Sequence, residues 1–379
     1  MPAVIPLCPR ITTRYTVGTM ADHGHIIGVV WLALVTSACS TLGYYSQSIS
    51  GQLDVMQRRQ PIEALLDSGT TPPDLKARLQ VALDIRRFAS AVLELPDNGS
   101  YTRYADLERP YAVWNVFAAP ELSLDLEEWC YPFAGCVAYR GYFTEDKARE
   151  HAESLRKRGF DSYYGGVAAY STLGWFEDPL LNTVMGYDDT QLAGLIFHEL
   201  AHQQLYVSGD TLFNEGFATA VARAGVRRWL EQQADPVKTS EYAADRLHQD
   251  AFHALVARTR AQLQDVYAGP HSDTEKRRRK KHFLEAMRAD YARQKQSWGG
   301  DNRYDAWFAG ELNNARLGAV NAYRAYVPLF EALFEKSGQD FTAFYQRVAA
   351  ISQLPESQRL DRLRELAALT SVADEQTGD

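Results

Sequence analysis

Cysteine is scarce in this sequence: four among 379 residues, too few for a disulfide-built scaffold. No two of them stand as Cys-x-x-Cys, so neither thioredoxin-type redox chemistry nor a cysteine zinc cage is indicated. Basic residues are not in excess. Forty Lys and Arg stand against 48 Asp and Glu, a formal net charge of −8, which argues against a general nucleic-acid binder. No apolar run reaches the ~20 residues that a helix needs to span a bilayer. No internal repeat is visible. What remains, 46% hydrophobic and 23% charged, is a folded globular chain and neither a disordered nor a collagen-like one. At ~100–200 residues per domain, its length fits one to three domains.

The one continuous apolar run is residues 26–38, followed by Cys39. It suits the hydrophobic core of a signal peptide, and Thr36, Ser37 and Ala38 supply small residues for a cleavage site. A cysteine placed directly after such a run resembles the lipobox of bacterial lipoproteins, in which that cysteine is lipidated and becomes the first mature residue. Thr36 stands where the lipobox usually has Leu, and Arg10 and Arg14 lie far upstream, so Met20 is an alternative start. The other reading of 26–38 is a buried apolar helix. The expectation is an exported chain of the bacterial cell envelope, anchored through Cys39 and facing the periplasm, with residues 1–38 removed. In that oxidising compartment Cys130 and Cys136, which flank the turn formers Pro132 and Gly135, pair as a disulfide contributing about 2 kcal/mol. The alternative is two reduced cysteines packed as small apolar groups.

Residues 44–95 read as two helices separated by residues 67–74, with Asp74 as cap of the second. From about 99 to 175 the texture changes. Residues 113–117, 136–139 and 167–172 are aromatic or β-branched and bounded by Gly and Pro, hence strands, with a helix over 144–158 capped by Thr144. Everything after Asp188 reads helical, including long charged stretches at 236–268 and 272–297. The fold class expected is therefore α+β: an N-terminal helical segment (39–98), a sheet-containing part (99–187) and a helical half (188–379). The basic run at 275–281 reads as a solvated helix face and is assigned no function.

The sharpest signal is His198-Glu199-Leu200-Ala201-His202, preceded by an apolar helical stretch with Asp188 or Asp189 as its cap. On a helix, residues i and i+4 share a face ~6 Å apart, so both imidazoles can reach one zinc ion. Glu199 lies one residue further round, where it can act on water without being a ligand. The bland alternative is a pair of buried core histidines. A catalytic zinc needs a third protein ligand. The metzincin pattern is excluded, because Ser208 stands where its third His belongs and Leu205 where its Gly belongs. Glu215 fits better. If the first helix ends near Tyr206 and Thr211 opens the next, Ser208-Gly209-Asp210 makes a tight reversal, and His202 and Glu215 lie at the same level, each about 6 Å from the turn. Glu215 also has a structural reading, as an acidic residue near a helix amino end.

Asn214-Glu-Gly-Phe-Ala218 resembles the zinc-ligand segment of the gluzincins, the superfamily of aminopeptidase N, with a shorter spacing after His202. The wider pattern resembles a bacterial family of predicted zinc aminopeptidases, many of them lipoproteins. The text that carries this is Cys130-Tyr-Pro-Phe-Ala-Gly-Cys-Val-Ala-Tyr-Arg-Gly-Tyr-Phe143, Gly165-Gly-Val-Ala-Ala-Tyr-Ser-Thr-Leu-Gly-Trp-Phe-Glu-Asp-Pro179, and Ile196-Phe-His-Glu-Leu-Ala-His-Gln203 through Ala218. The Gly-x-Met-Glu-Asn exopeptidase motif of aminopeptidase N is missing. The resemblance implies a gluzincin-type fold, one Zn2+ per chain held by His198, His202 and Glu215, Glu199 as general base, and a peptide substrate. It also implies an edge strand that pairs with the substrate backbone, for which 167–172 is the candidate, and a Tyr or His that stabilises the oxyanion, for which Tyr323 is nominated. Glu177 or Asp178 is a candidate for binding a free α-amino group; a solvent-exposed acidic turn is the alternative. Two rival functions remain open at this level: a zinc hydrolase of another amide bond in cell-envelope material, and a catalytically silent zinc-stabilised lipoprotein.

Overall fold

The computed structural model describes residues 44, 46–131, 135–169, 171–172, 176–321 and 326–368. Cys39, the apolar run before it and Tyr323 lie outside the described residues. By contacts, Met1–Gly51 and Gln52–Asp379 are separate units. The elements of the second unit in chain order are β1 (Gln60–Pro61), α1 (Ile62–Asp67), α2 (Pro73–Ala91), β2 (Arg103–Ala105), β3 (Val113–Pro120), β4 (Trp129–Tyr131), β5 (Gly135–Val137), β6 (Arg140–Tyr142), α3 (Glu145–Lys157), β7 (Phe160–Val167) and β8 (Leu180–Leu181). Helices α4 (Asp189–Gln204), α5 (Thr211–Gln233), α6 (Pro236–Ala268), α7 (Asp273–Ser297), α8 (Asp305–Ala309), α9 (Asn314–Asn321), α10 (Val327–Lys336), α11 (Phe341–Ser352) and α12 (Glu356–Ala368) complete it. The class is α+β, as the sequence indicates: small sheets, then a helical half.

The main sheet has the order β6-β3-β7, with β3 antiparallel to both neighbours and β7 at an edge. Seven of the eight residues of β3 are buried, which is why it reads as a nearly continuous apolar run: α3 and α9 both pack on it. Phe117 meets Ala315 and Ala319 of α9. Buried polar contacts fix the sheet to the helical half. Lys280 of α7 reaches Asp161 at 2.6 Å, the Asn314 N–H donates to the same carboxylate at 2.8 Å, and the Asn313 side chain donates to the Ser162 carbonyl at 3.0 Å. Lys280 belongs to the basic run 275–281. Arg277, Arg278 and Arg279 in that run pair with Glu121 and Glu275, so acidic partners answer much of its charge.

Several boundaries differ from expectation. Among the described residues of 167–172 only Val167 is in a strand, as the last residue of β7, which spans Phe160–Val167. The backbone after it is diverted, because the Ala168 carbonyl accepts from Thr183 Oγ1 and Thr172 bonds Asp178. The strand expected at 136–139 is the short Gly135–Val137. Helix α2 starts behind Pro72, so Asp74 sits in its first turn and is not its cap. Thr144 holds the cap position of α3, but its side chain makes no capping bond.

Cys130 and Cys136 face each other across β4 and β5 and are joined as a disulfide. Their hairpin lies against the turn between α4 and α5. A Cβ on Gly135, whose φ is 77°, would come within 2.7 Å of Ser208 Oγ and 2.8 Å of the Gly209 nitrogen. Only glycine fits this approach.

His151, on α3, packs edge-on to Trp129 and beside Tyr142. Burial pushes its imidazole down to about 4, assisted by the charges of Arg140 and Arg158. In the unfolded chain the same group titrates near 6.5, so the unfolded state takes up this proton first as pH falls. The stability it contributes is complete above about 6.5 and is lost between there and about 4. Thermal midpoints measured across that window are expected to fall less steeply for His151→Gln than for wild type; parallel slopes would mean that the ring is solvated.

Candidate metal centre

Helix α4 carries an apolar face of Leu192, Ile196, Phe197 and Leu200 into the largest core cluster. Asp188 is its cap, in a capping box with Gln191: the Asp188 carboxylate accepts from the Gln191 N–H at 2.8 Å, and the Gln191 side chain accepts from the Asp188 N–H. Asp189, the other candidate, pairs with Arg78 and Lys238. Helix α5 is driven into the same core by Phe213 and Phe217, which meet Phe330 and Phe344. The two helices are close neighbours joined by residues 205–210, where Gly209 takes φ 83°.

Asn214 sets this turn. It is 2% exposed, its amide donates to the Val207 carbonyl at 2.7 Å, and its oxygen accepts from the Val207 N–H at 2.8 Å. Asp210 caps α5 by accepting from the Phe213 N–H, and its second oxygen binds Arg359 of α12 at 2.8 Å. Both its oxygens are therefore engaged, which leaves Glu215 as the acidic residue of this stretch that faces the histidines.

The result is a convergence of three side chains. His198 Nε2 lies 3.1 Å from His202 Nε2 and 3.2 Å from Glu215 Oε2, and His202 Nε2 lies 3.7 Å from Glu215 Oε1. One ligand-type atom from each lies within 4.8 Å of the others, and among the described residues no other such group forms. The rings of the two histidines stand almost perpendicular, with centroids 4.7 Å apart. His202 Nδ1 and Glu215 Oε2 are buried with no hydrogen-bond partner. Burial pushes His202 down to about 4, so its imidazole is neutral near pH 7 with a lone pair to offer. Burial alone would raise Glu215, but its contact with His198 and the nearness of both imidazoles bring it below the usual carboxylate range. Two nitrogen lone pairs and an ionised carboxylate aimed at one point make a donor set that a borderline divalent cation satisfies, and the residues fit zinc.

Glu199 stands beside this set without joining it. It is 9% exposed, and burial pushes its carboxyl up to about 7; His198 opposes this, while Glu215 and Asp178 reinforce it. Asp178 is buried, and its carboxylate is occupied within its own loop. It accepts from the Thr172 N–H at 2.9 Å, from Thr172 Oγ1 at 2.8 Å and from Ser171 Oγ at 3.2 Å. Glu177 points to the surface, where its carboxylate lies over Gly99 and 3.7 Å from Arg103. The structure does not bring Glu177 to the cluster, and Asp178 comes near it as a loop anchor.

One residue near the site carried no sequence signal. Tyr101 adopts φ 64° and donates its N–H to the Asp178 carbonyl at 2.7 Å. Its hydroxyl is buried with no hydrogen-bond partner. Burial pushes that phenol far above its usual range, and the charges of Glu199 and Asp178 add to the effect. The neighbouring Ser100 accepts from Gln203 of α4 at 3.2 Å, so the 98–101 loop is stitched to the helix that bears both histidines.

Asn214→Ala removes both bonds to Val207 and leaves a partly buried N–H and C=O unpaired. A loss of about 2 kcal/mol in unfolding free energy is expected, on the usual cost of stranding such groups. Denaturant unfolding measures it; a change below about 0.5 kcal/mol would show that the turn holds without this clamp.

Neither curated proteins nor solved structures gave a match to this chain. A family model described as "Putative aminopeptidase" matches residues 43–363, from ahead of β1 to within α12. With that stretch covering the sheets, the disulfide hairpin and both helices of the metal centre, the chain belongs to the putative aminopeptidase family.

Proposed function

We propose that this protein is a zinc-dependent peptidase of gluzincin type, acting as an aminopeptidase. The observation that supports this most is the separation of roles within one small site: His198, His202 and Glu215 converge as ligands, while Glu199, on the same helix, stays out of the set. A purely structural site has no use for such a carboxylate.

Zinc held by these three residues supplies a Lewis acid that polarises the scissile carbonyl and makes a nearby water acidic near neutral pH. The chain's own residues do the rest. Glu199 takes the proton of the attacking water and returns it to the leaving amine. Its burial excludes competing solvent and lets the carboxyl exist in both protonation states near neutral pH. Glu215 holds its charge against the two imidazoles, and the packed core behind α4 and α5 fixes the ligand geometry. A peptide substrate lies extended beside β7, the edge strand whose chain leads toward the site, and pairs with its outer edge.

Glu199→Gln tests the assignment. The side chain keeps its size and gives up no bond to the metal, so zinc content and melting temperature are expected to stay near wild type. Peptide hydrolysis is expected to fall by ~10²–10⁴, the usual worth of general acid–base assistance. Metal analysis and turnover on the same preparations decide it, with chelator treatment abolishing the wild-type rate. Turnover within a few-fold of wild type would remove Glu199 from the mechanism.

We also propose that Cys39 is lipidated and holds the enzyme on a membrane of the cell envelope, facing the periplasm. No helix among the described residues is long and apolar enough to cross a membrane. Cys39→Ala is expected to move the protein into the soluble fraction on cell fractionation. Unchanged membrane association would refute the anchor.

A further inference from the structure

Two adjoining cavities open beside the main sheet, the first between the sheet and the helical half and the second within the helical half. The first, 460 Å³, lies along Gly165, Gly166 and Val167 of β7 and is walled by aromatic side chains, among them Phe117 and Trp307. The second, 350 Å³, shares His253 and Val320 with the first and is bounded by Arg223, Asp250 and Glu331. Neither has a part in the metal centre.

Arg223 is a built feature of the second cavity. Its side chain is 8% exposed, with Nη1 3.0 Å from Glu331 and Nη2 3.0 Å from Asp250. Arg246 also binds Asp250, at 3.1 Å, so two guanidinium groups and two carboxylates leave the cluster without net charge. Arg223 Nε, by contrast, is buried with no hydrogen-bond partner. An unpartnered N–H donor on a residue that lines a charge-balanced, partly apolar cavity suits a neutral acceptor such as a peptide carbonyl.

The position of these cavities relative to the metal centre is set by chain geometry. Arg223 is on α5, eight residues beyond Glu215, about 12 Å along the helix. An extended peptide covers that distance in three to four residues at ~3.3 Å each. The chain that leaves β7 is tied to α4 through Thr172, Asp178, Tyr101, Ser100 and Gln203, so the C-terminal end of β7 is the end nearer the histidines. A peptide added antiparallel to β7, as β3 is on its other side, therefore runs from the metal centre back along the strand. Its residues after the scissile bond pass over the first cavity and reach the second.

We propose, on the basis of the peptidase reading above, that these cavities form the leaving-side channel of the enzyme. The channel selects oligopeptides with three or more residues beyond the scissile bond. It receives an apolar or aromatic side chain in the first cavity and hydrogen-bonds a backbone carbonyl through Arg223 Nε–H in the second. Binding energy gathered there is used at the scissile bond, so truncated substrates lose turnover as well as affinity.

The test is a length series with a common amino-terminal residue followed by Phe: a dipeptide, a tripeptide and a pentapeptide extended with Ala, read by mass spectrometry on the zinc-loaded enzyme. For wild type, kcat/KM is expected to rise at least about tenfold from dipeptide to pentapeptide. In Arg223→Gln, and separately in Val320→Trp, which obstructs the wall shared by the two cavities, that rise is expected to shrink to within about threefold. Melting temperatures confirm that each variant is folded; Val320→Trp carries the test if loss of the buried guanidinium unfolds the chain. A flat length profile in wild type, or a full length dependence in folded Val320→Trp, would overturn the channel and leave the peptidase standing. No hydrolysis of any peptide would overturn both.

Discussion

The metal centre depends on the six-residue turn between α4 and α5. Two histidines at i and i+4 are common on helices and bind nothing tightly alone; what completes them is a carboxylate delivered at the same height from a second helix. The clamp of Asn214 on Val207 fixes where α5 begins relative to the end of α4. Asp210 then caps α5 and is held by Arg359, so the last helix of the fold helps set the first turn of the ligand-bearing one. On the other side, the disulfide hairpin presses Gly135 against Ser208 and Gly209. Shifting α5 by one residue would rotate Glu215 by about 100° and carry it off the shared face. The apolar packing of Phe213 and Phe217 opposes that rotation, because it would take both rings out of the core.

What the sequence made legible was local. The spacing of His198 and His202 speaks for itself, because a helix turns the sequence interval into a distance. Glu215 was readable because so few residues separate it from His202 that the reversal had one sensible geometry, and α5 does open at Thr211. The long charged stretches at 236–268 and 272–297 read as helical, and they are α6 and α7. The parts that failed were set by partners far along the chain. The apolar text at 167–172 looks like a strand. Yet the Ala168 carbonyl is taken by Thr183, and Thr172 by Asp178, and among the described residues the strand ends at Val167. Asp178, a candidate for an α-amino group because it is acidic and near the motif, is hydrogen-bonded within its own loop by Ser171 and Thr172, which the local text did not announce. Nothing in Asn98-Gly-Ser-Tyr101 announces that Tyr101 takes a left-handed backbone and places a phenol in the core beside α4. Such positions are specified by tertiary contacts, which a pattern along the chain does not record.

The charges of the site are coupled to one another. Glu199, Glu215 and Asp178 are buried carboxyl groups near one another, and the charges of Glu215 and Asp178 disfavour that of Glu199. Hydrogen bonds from Thr172 and Ser171 oppose the burial of Asp178 without overcoming it, so its carboxyl stays raised, whereas the two imidazoles bring Glu215 below its usual range. Glu199 has no comparable donor, which is why burial dominates it and its carboxyl rises to about 7. In the proposed mechanism, a divalent cation held by His198, His202 and Glu215 would supply a counter-charge that favours the ionised form of Glu199, the form that takes a proton. On that proposal, loading the ligand set and readying the base would be one electrostatic event, because Glu199 sits next to a ligand on the same helix and outside the ligand set.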